Sequence, residues 1–131
     1  RVFSYATFNE PFCSAYLGYE IGVHAPGRVG RRNGRTAAHH ILLAHGLGMR
    51  VLRRNVPNCE AGIVLNFTPC YPATDKQSDV VATQKADEYI NLWYLQPVIE
   101  GTYPNVIKDL PKKERPPIED GDLEMNWKEV L

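Results

Sequence analysis

Cysteine is scarce in this 131-residue chain, which has only Cys13, Cys59 and Cys70. An odd count without C-x-x-C spacing argues against a disulfide framework or a zinc knuckle. It fits a reduced, cytoplasmic setting, and leaves a single Cys59–Cys70 bridge open. Net charge is lacking too: fifteen Lys and Arg balance fifteen Asp and Glu. A neutral chain has no general attraction for nucleic acid or an anionic membrane, so neither is expected as a partner. There is no apolar run of roughly 18 residues or more, and no signal or transit peptide is visible. The sequence opens at Arg1 rather than methionine, so the natural N-terminus is expected upstream. Internal repeats, low-complexity tracts, phosphate-binding glycine motifs and a Ser-His-Asp pattern are all missing. What remains is long enough for one ordinary domain, with a normal apolar share of 44%.

The elements follow from periodicity. Residues 2–8 (VFSYATF) are rich in β-branched and aromatic side chains and read as a strand, ended by Asn9-Glu10-Pro11. Five glycines and a proline between 18 and 34 predict loop as far as Arg35, with a short helix near 12–16. Arg28, Arg31, Arg32 and Arg35 cluster in this stretch and are expected to be solvated. Thr36 is placed to cap a helix whose stripe is Ala37, Ile41, Ala44, His45, Gly48 and Val51/Leu52, ending near Arg54. Residues 61–67 (AGIVLNF) form a nearly continuous apolar run, as in a strand buried on both faces of a parallel sheet. A second helix is predicted from Ser78 or Asp79 to about Leu95, stopped by Pro97. The proline-rich remainder is expected to be an extended surface segment, with one helical turn near 123–125.

Strand, helix, strand, helix is the order of a parallel β/α unit, so the fold class is α/β. Two strands cannot cover both faces of AGIVLNF, and nothing later reads as a strong third strand. Neighbouring strands are therefore expected to lie outside this sequence.

One carboxyl group stands out. Glu10 lies just past the C-terminal end of the first strand, the end where a β/α barrel gathers its catalytic groups. A carboxyl in a partly desolvated barrel mouth can hold a proton near neutral pH, as a donor to a glycosidic oxygen must. Asn9 beside it offers an amide suited to a sugar hydroxyl. The same tripeptide also reads as a plain helix start, with Asn9 as cap, Glu10 on the N-terminal dipole and Pro11 in the first turn. The histidines carry no metal signal. His39 and His40 are adjacent and diverge, and His40 to His45 is not the i, i+4 pair that chelates. His24 is expected to shape a turn.

The surrounding residues decide between these readings. Residues 7–27 (TFNEPFCSAYLGYEIGVHAPG) closely resemble the acid/base segment of family 1 glycoside hydrolases, the bacterial β-glucosidases above all. Asn-Glu-Pro recurs in several barrel glycosidase families, but with HAPG at this spacing it is far more specific. The resemblance continues through AAHHILLAHG (37–46), GIVLNFTPCYPA (62–73), ADEYINLWYLQPVIEGTYP (86–104) and GDLEM (121–125). It implies an internal part of a (β/α)8 TIM barrel, from about the fourth strand through the fifth helix. It further implies that residues 1–131 belong to a single glycosidase barrel domain. By the same resemblance Glu10 is the general acid and then base of a retaining mechanism, and Asn9 binds the hydroxyl beside the anomeric carbon. Cys13 and Asn66 would lie toward the leaving group, although Cys13 also reads as a packing residue and Asn66 as a strand terminator. Tyr71 reads as cleft rim or as ordinary packing. Substrates would be β-glucosides or cello-oligosaccharides, with no cofactor and no metal.

Departures from the family pattern are Glu20, where glycine is usual, Gln96, where aspartate is usual, and Trp127-Lys128-Glu129. A retaining glycosidase also needs a second carboxyl about 5–5.5 Å from the first. In this family that nucleophile sits in Glu-Asn-Gly, which does not occur here. The isolated chain is therefore expected to be inactive. The rival expectation is a sub-barrel module that self-associates or complements missing barrel pieces through its open strand edges.

Overall fold

A computed structural model describes residues 2–128, with side chains from 2 to 125. Two strands, β1 (Ser4–Asn9) and β2 (Glu60–Val64), pair in parallel with Ser4 opposite Glu60 and Asn9 opposite Val64. Between them runs a 25-residue helix, α1 (Arg31–Asn55). After β2 come α2 (Gln77–Asp87), a π-helical stretch (Glu88–Leu92) and α3 (Trp93–Ile99). Two short helices close the order, α4 (Val106–Asp109) and α5 (Asp122–Lys128). The α/β order and the parallel pairing match the pattern expected from sequence.

The core is helical rather than sheet-centred. Ala15, Ala38, Trp93, Tyr94, Val106 and Leu110 form one buried cluster, flanked by Phe12, Tyr89 and Tyr103. Each strand of a two-stranded sheet has only one partner, so its faces stay partly open. Val64 is 43% exposed and Phe67 is 53% exposed. The expectation that residues 61–67 are buried on both faces is therefore not met: the strand stops at Val64 and is only half covered.

Several local expectations are corrected by tertiary contacts. The predicted loop up to Arg35 is largely helical. A π-helix occupies Cys13–Glu20, and α1 begins at Arg31, five residues before Thr36. Thr36 therefore caps nothing; the Asn33 side chain instead donates to the Val29 carbonyl at 2.9 Å. Two of the glycines read as loop markers serve close packing. A Cβ on Gly34 would lie 2.5 Å from Glu20 Cβ, and one on Gly18 would lie 2.7 Å from the Ala25 carbonyl oxygen. The deeply buried face of α1 is Arg35, Ala38, His39, Leu42, His45 and Met49. It is rotated by about one residue from the expected stripe, of which His45 is buried, Val51 is exposed and the rest is half covered. Pro97 does not stop the second helix but lies inside α3, buried. The missing Pro N–H and the ring clash normally break the ladder. Here the turn just upstream is already π-wound, the kind of irregularity that accompanies such a break. The C-terminal stretch is not a surface strap, because Val106 and Leu110 enter the core. The departing triplet at 127–129 lies outside the residues whose side chains are described.

The arginine cluster divides. Arg31 is exposed and pairs with Glu114 at 3.2 Å. Arg35 is buried, with its guanidinium carbon 3.2 Å from the Tyr89 ring centroid and 4.4 Å from that of Trp93. Its Nη2 lies 3.3 Å from Glu20 Oε2, and the Tyr89 hydroxyl donates to Glu20 Oε1. Burial pulls the guanidinium down to about 10, against the opposing pull of Glu20, so it stays cationic at neutral pH. Burial likewise pushes the Glu20 carboxyl up, while Arg35 and Arg31 hold it down. Removing one partner of such a pair strands the other charge. We expect Arg35→Met to cost about 3–5 kcal/mol, and Arg35→Met/Glu20→Gln to recover part of that loss. Urea unfolding of these two variants and of Glu20→Gln alone checks this; strict additivity would show that the two groups are uncoupled.

Two buried histidines join α1 to its surroundings. His39 Nε2 lies 2.9 Å from Asp122 Oδ2 and its Nδ1 lies 3.0 Å from the Tyr103 hydroxyl. Thr7 donates its hydroxyl proton to the Gly62 carbonyl at 3.1 Å, so His45 Nδ1, 2.7 Å from Thr7 Oγ1, must be the donor there. That leaves His45 Nε2 buried as an acceptor without a partner among the described residues. Burial holds both imidazoles below their usual value, Asp122 partly opposing this at His39. The folded chain thus binds these protons less readily than the unfolded chain. Their contribution is whole above the unfolded value of about 6.5 and is lost as pH falls through it. The urea midpoint is expected to hold between about pH 7 and 8 and to fall toward about pH 5. His45→Gln should flatten that fall.

Candidate active site

Residue Glu10 sits where β1 turns into helix. Its N–H donates to the Val64 carbonyl at 2.8 Å, extending the ladder one residue beyond Asn9. Its own carbonyl accepts from Cys13 N at 2.9 Å and Ser14 N at 3.4 Å, which meets the leading amides of the helix. The residue is left-handed, with φ 48°. Glutamate seldom adopts that region, and such strain persists where surrounding bonds over-determine it, often at functional sites. The plain helix-start reading is only half right. Pro11 does open the helix, but no side chain caps it; the Glu10 carbonyl does that work.

The carboxyl is half-buried, and Cys13 Sγ lies 3.2 Å from its Oε2. Asn9 is exposed at the same sheet end. Asn66, half-buried, lies two residues beyond Val64, just past the end of β2. Three of the four residues singled out by sequence are therefore consecutive or bonded to one another, and Asn66 follows the strand that pairs with theirs. All three cysteines are free, so the Cys59–Cys70 bridge does not form. His24 donates its N–H to Leu17 and accepts from Gly27 N at 2.8 Å, which closes the expected HAPG turn. Tyr71 is 83% exposed, which removes its core-packing reading.

Sequence reasoning missed Asn91. This side chain is 7% exposed and lies within the π-helical stretch. Its Oδ1 accepts from Thr68 N at 2.9 Å, and its Nδ2 donates to the Thr68 carbonyl at 2.8 Å and to Asp87 Oδ1 at 2.7 Å. The amide thereby acts as a strand partner for the loop that carries Asn66. An asparagine inside an apolar helical run, YINLW, was the available signal.

The hollow is elsewhere. A cavity of about 530 Å³ is lined by Phe8, Tyr19, Arg28, Arg32, His40 and Ile41 among others, and it does not touch Glu10. Two parallel strands provide a shelf at their C-terminal ends, not an enclosed sugar pocket. Among the described residues no His, Cys, Asp or Glu side chains gather as metal ligands, and no helix is long and apolar enough to cross a membrane.

The profile of the family described as Glycosyl hydrolase family 1 matches residues 1–129. The chain belongs to glycosyl hydrolase family 1. It is 37% identical over 123 residues to a beta-glucosidase of Agrobacterium sp., covering 94% of this chain and 27% of that protein. Its fold is similar to the crystal structure of a beta-glucosidase from Exiguobacterium marinum, at TM-score 0.87 and 41% identity, over 95% of this chain and 29% of that one. It is also similar to virulence factor SghA from Agrobacterium tumefaciens in complex with its substrate analog salicin. There the TM-score is 0.91 and the identity 34%, over 97% of this chain and 28% of that one. The chain thus spans less than a third of the length of these relatives, and its fold is part of the family's β/α barrel.

The Asn91 clamp can be tested directly. Asn91→Leu removes three hydrogen bonds and leaves the Thr68 backbone groups unpaired. An expected loss of about 1–3 kcal/mol, read by urea unfolding, would accompany faster amide exchange at Thr68. Unchanged exchange at Thr68 would show that the loop is held by something else.

Proposed function

We propose that the complete protein hydrolyses terminal, non-reducing β-D-glucosyl residues of β-glucosides or cello-oligosaccharides, with retention, and that Glu10 is its acid/base. All of residues 1–131 then belong to one glycosidase barrel, from about its fourth strand through its fifth helix. The observation that carries this reading is the conformation of Glu10: a left-handed carboxyl-bearing residue pinned at the C-terminal end of two parallel strands. That is the end at which barrel enzymes place their chemistry. The β-glucosidase relatives and the neighbour bound to salicin support the substrate class.

In this reading Glu10 protonates the departing glycosidic oxygen while a carboxylate from another part of the barrel attacks the anomeric carbon. The glycosyl-enzyme so formed is opened by water, from which Glu10, now a base, takes the proton. Asn9 holds the hydroxyl next to the anomeric carbon, and Asn66 faces the leaving group. No cofactor enters these steps.

The 131-residue chain alone is expected to leave an aryl β-glucoside intact. Turnover is expected on mixing it with the remaining barrel segments, and to be lost in Glu10→Gln, since general acid–base catalysis contributes about 10²–10⁴-fold. Turnover by the chain alone, or by the Glu10→Gln mixture at the original rate, would sink the reading.

A second reading, a self-associating sub-barrel module, draws on the exposed strand ends. Val2, Phe3, Val64 and Phe67 are each more than two-fifths exposed beside a sheet of only two strands. Such edges invite pairing with another strand. Stable oligomers in sedimentation, with no rescue of activity by any mixture, would favour it.

A further inference from the structure

We propose that Cys13 is a positioning residue for the Glu10 carboxyl: its thiol binds Oε2 and leaves Oε1 as the oxygen that carries and delivers the proton. This rests on the reading of Glu10 as the acid. The backbone of Glu10 is held from both sides, by Val64 through its N–H and by Cys13 and Ser14 through its carbonyl. Those bonds fix where the side chain starts, not where the carboxyl ends. Among the described residues the carboxyl's hydrogen bond is the one from Cys13 Sγ, at 3.2 Å. The two residues are three apart on the first turn, so they meet on one face.

The chemistry of the pair orders the two oxygens. A thiol is a weak donor, strengthened when its acceptor is a carboxylate. An Oε2 that already accepts the S–H is the poorer place for a proton, so the acid form carries its proton on Oε1. That proton passes to the glycosidic oxygen as the bond to the anomeric carbon breaks, leaving a carboxylate still tied at Oε2. In the second half the free Oε1 takes the proton of the attacking water. The thiol keeps its own proton throughout. Burial, and then the hydrogen bond to Glu10 and its negative charge, push the Cys13 thiol up, so it stays a donor at neutral pH. The residue expected to line the leaving-group side thus acts through the acid rather than on the sugar.

The contact is tested on the 131-residue chain in a Cys59→Ser/Cys70→Ser background, where Cys13 is the sole thiol. Alkylation by iodoacetamide is followed against pH by mass spectrometry, with and without Glu10→Gln. The variant profile is expected at lower pH, with several-fold faster alkylation near neutrality. Superimposable profiles from chains with identical circular dichroism would overturn the proposal. Positioning is tested in the assembled barrel with aryl β-glucosides of graded leaving-group basicity. Cys13→Ala should lose on the order of tenfold in kcat with poor leaving groups and little with activated ones, while Cys13→Ser restores the loss. Equal losses across the series, or no rescue by serine, would reduce Cys13 to packing while the role of Glu10 stands. If Glu10→Gln itself spares poor leaving groups, the acid assignment fails and the Cys13 proposal fails with it.

Discussion

A guanidinium stands in the place of an aliphatic core residue. Arg35 lies between the rings of Tyr89 and Trp93 and faces the Glu20 carboxylate. Through it three segments meet: the π-helix that starts behind Glu10, the long helix α1, and the π-helical stretch leading into α3. A charge can be buried only if its partners stay in place. That requirement makes the register of the three segments interdependent. The aromatic faces supply cation–π attraction, and Glu20 supplies the countercharge. Gly34 lets Glu20 approach α1 closely enough for the pair to form. The glutamate at position 20 is thus answered by the arginine facing it.

The same frame sets the shelf that carries Glu10. Helix α1 reaches β1 through His45 and Thr7, and Thr7 reaches β2 through the Gly62 carbonyl. Three residues further along β1, Glu10 closes the ladder on Val64. Beyond β2, the loop with Asn66 is held by Asn91 from the helical layer. Both walls of the shelf are therefore pinned from behind by buried polar groups, and their front stays open. The separation is physically reasonable: positioning needs rigid backing, while a substrate needs access.

Much of this was legible in the residue pattern, and the failures are informative. Strand, helix, strand, helix, the parallel pairing and the place of Glu10 at a strand end follow from short-range signals. The start of α1 was missed because glycines read as loop were packing glycines. The burial of Arg35 was missed because charge patterning cannot see Tyr89 and Trp93 more than fifty residues away. Pro97 was read as a stop because its local penalty is large, whereas the tertiary packing of Trp93, Tyr94 and Val98 keeps the turn helical. The C-terminal prolines suggested a strap, yet Val106 and Leu110 between them complete the core.

By itself the sequence determined the family, the order of elements and the identity of the carboxyl at the strand end. These are encoded in contiguous residues, where spacing and side-chain type suffice. Only the tertiary structure decided that Glu10 is left-handed, that Cys13 bonds its Oε2, that Asn91 clamps the opposing loop and that Arg35 is buried. Each depends on where a second segment comes to rest. Burial and hydrogen-bond partnership are properties of that meeting, not of either segment alone.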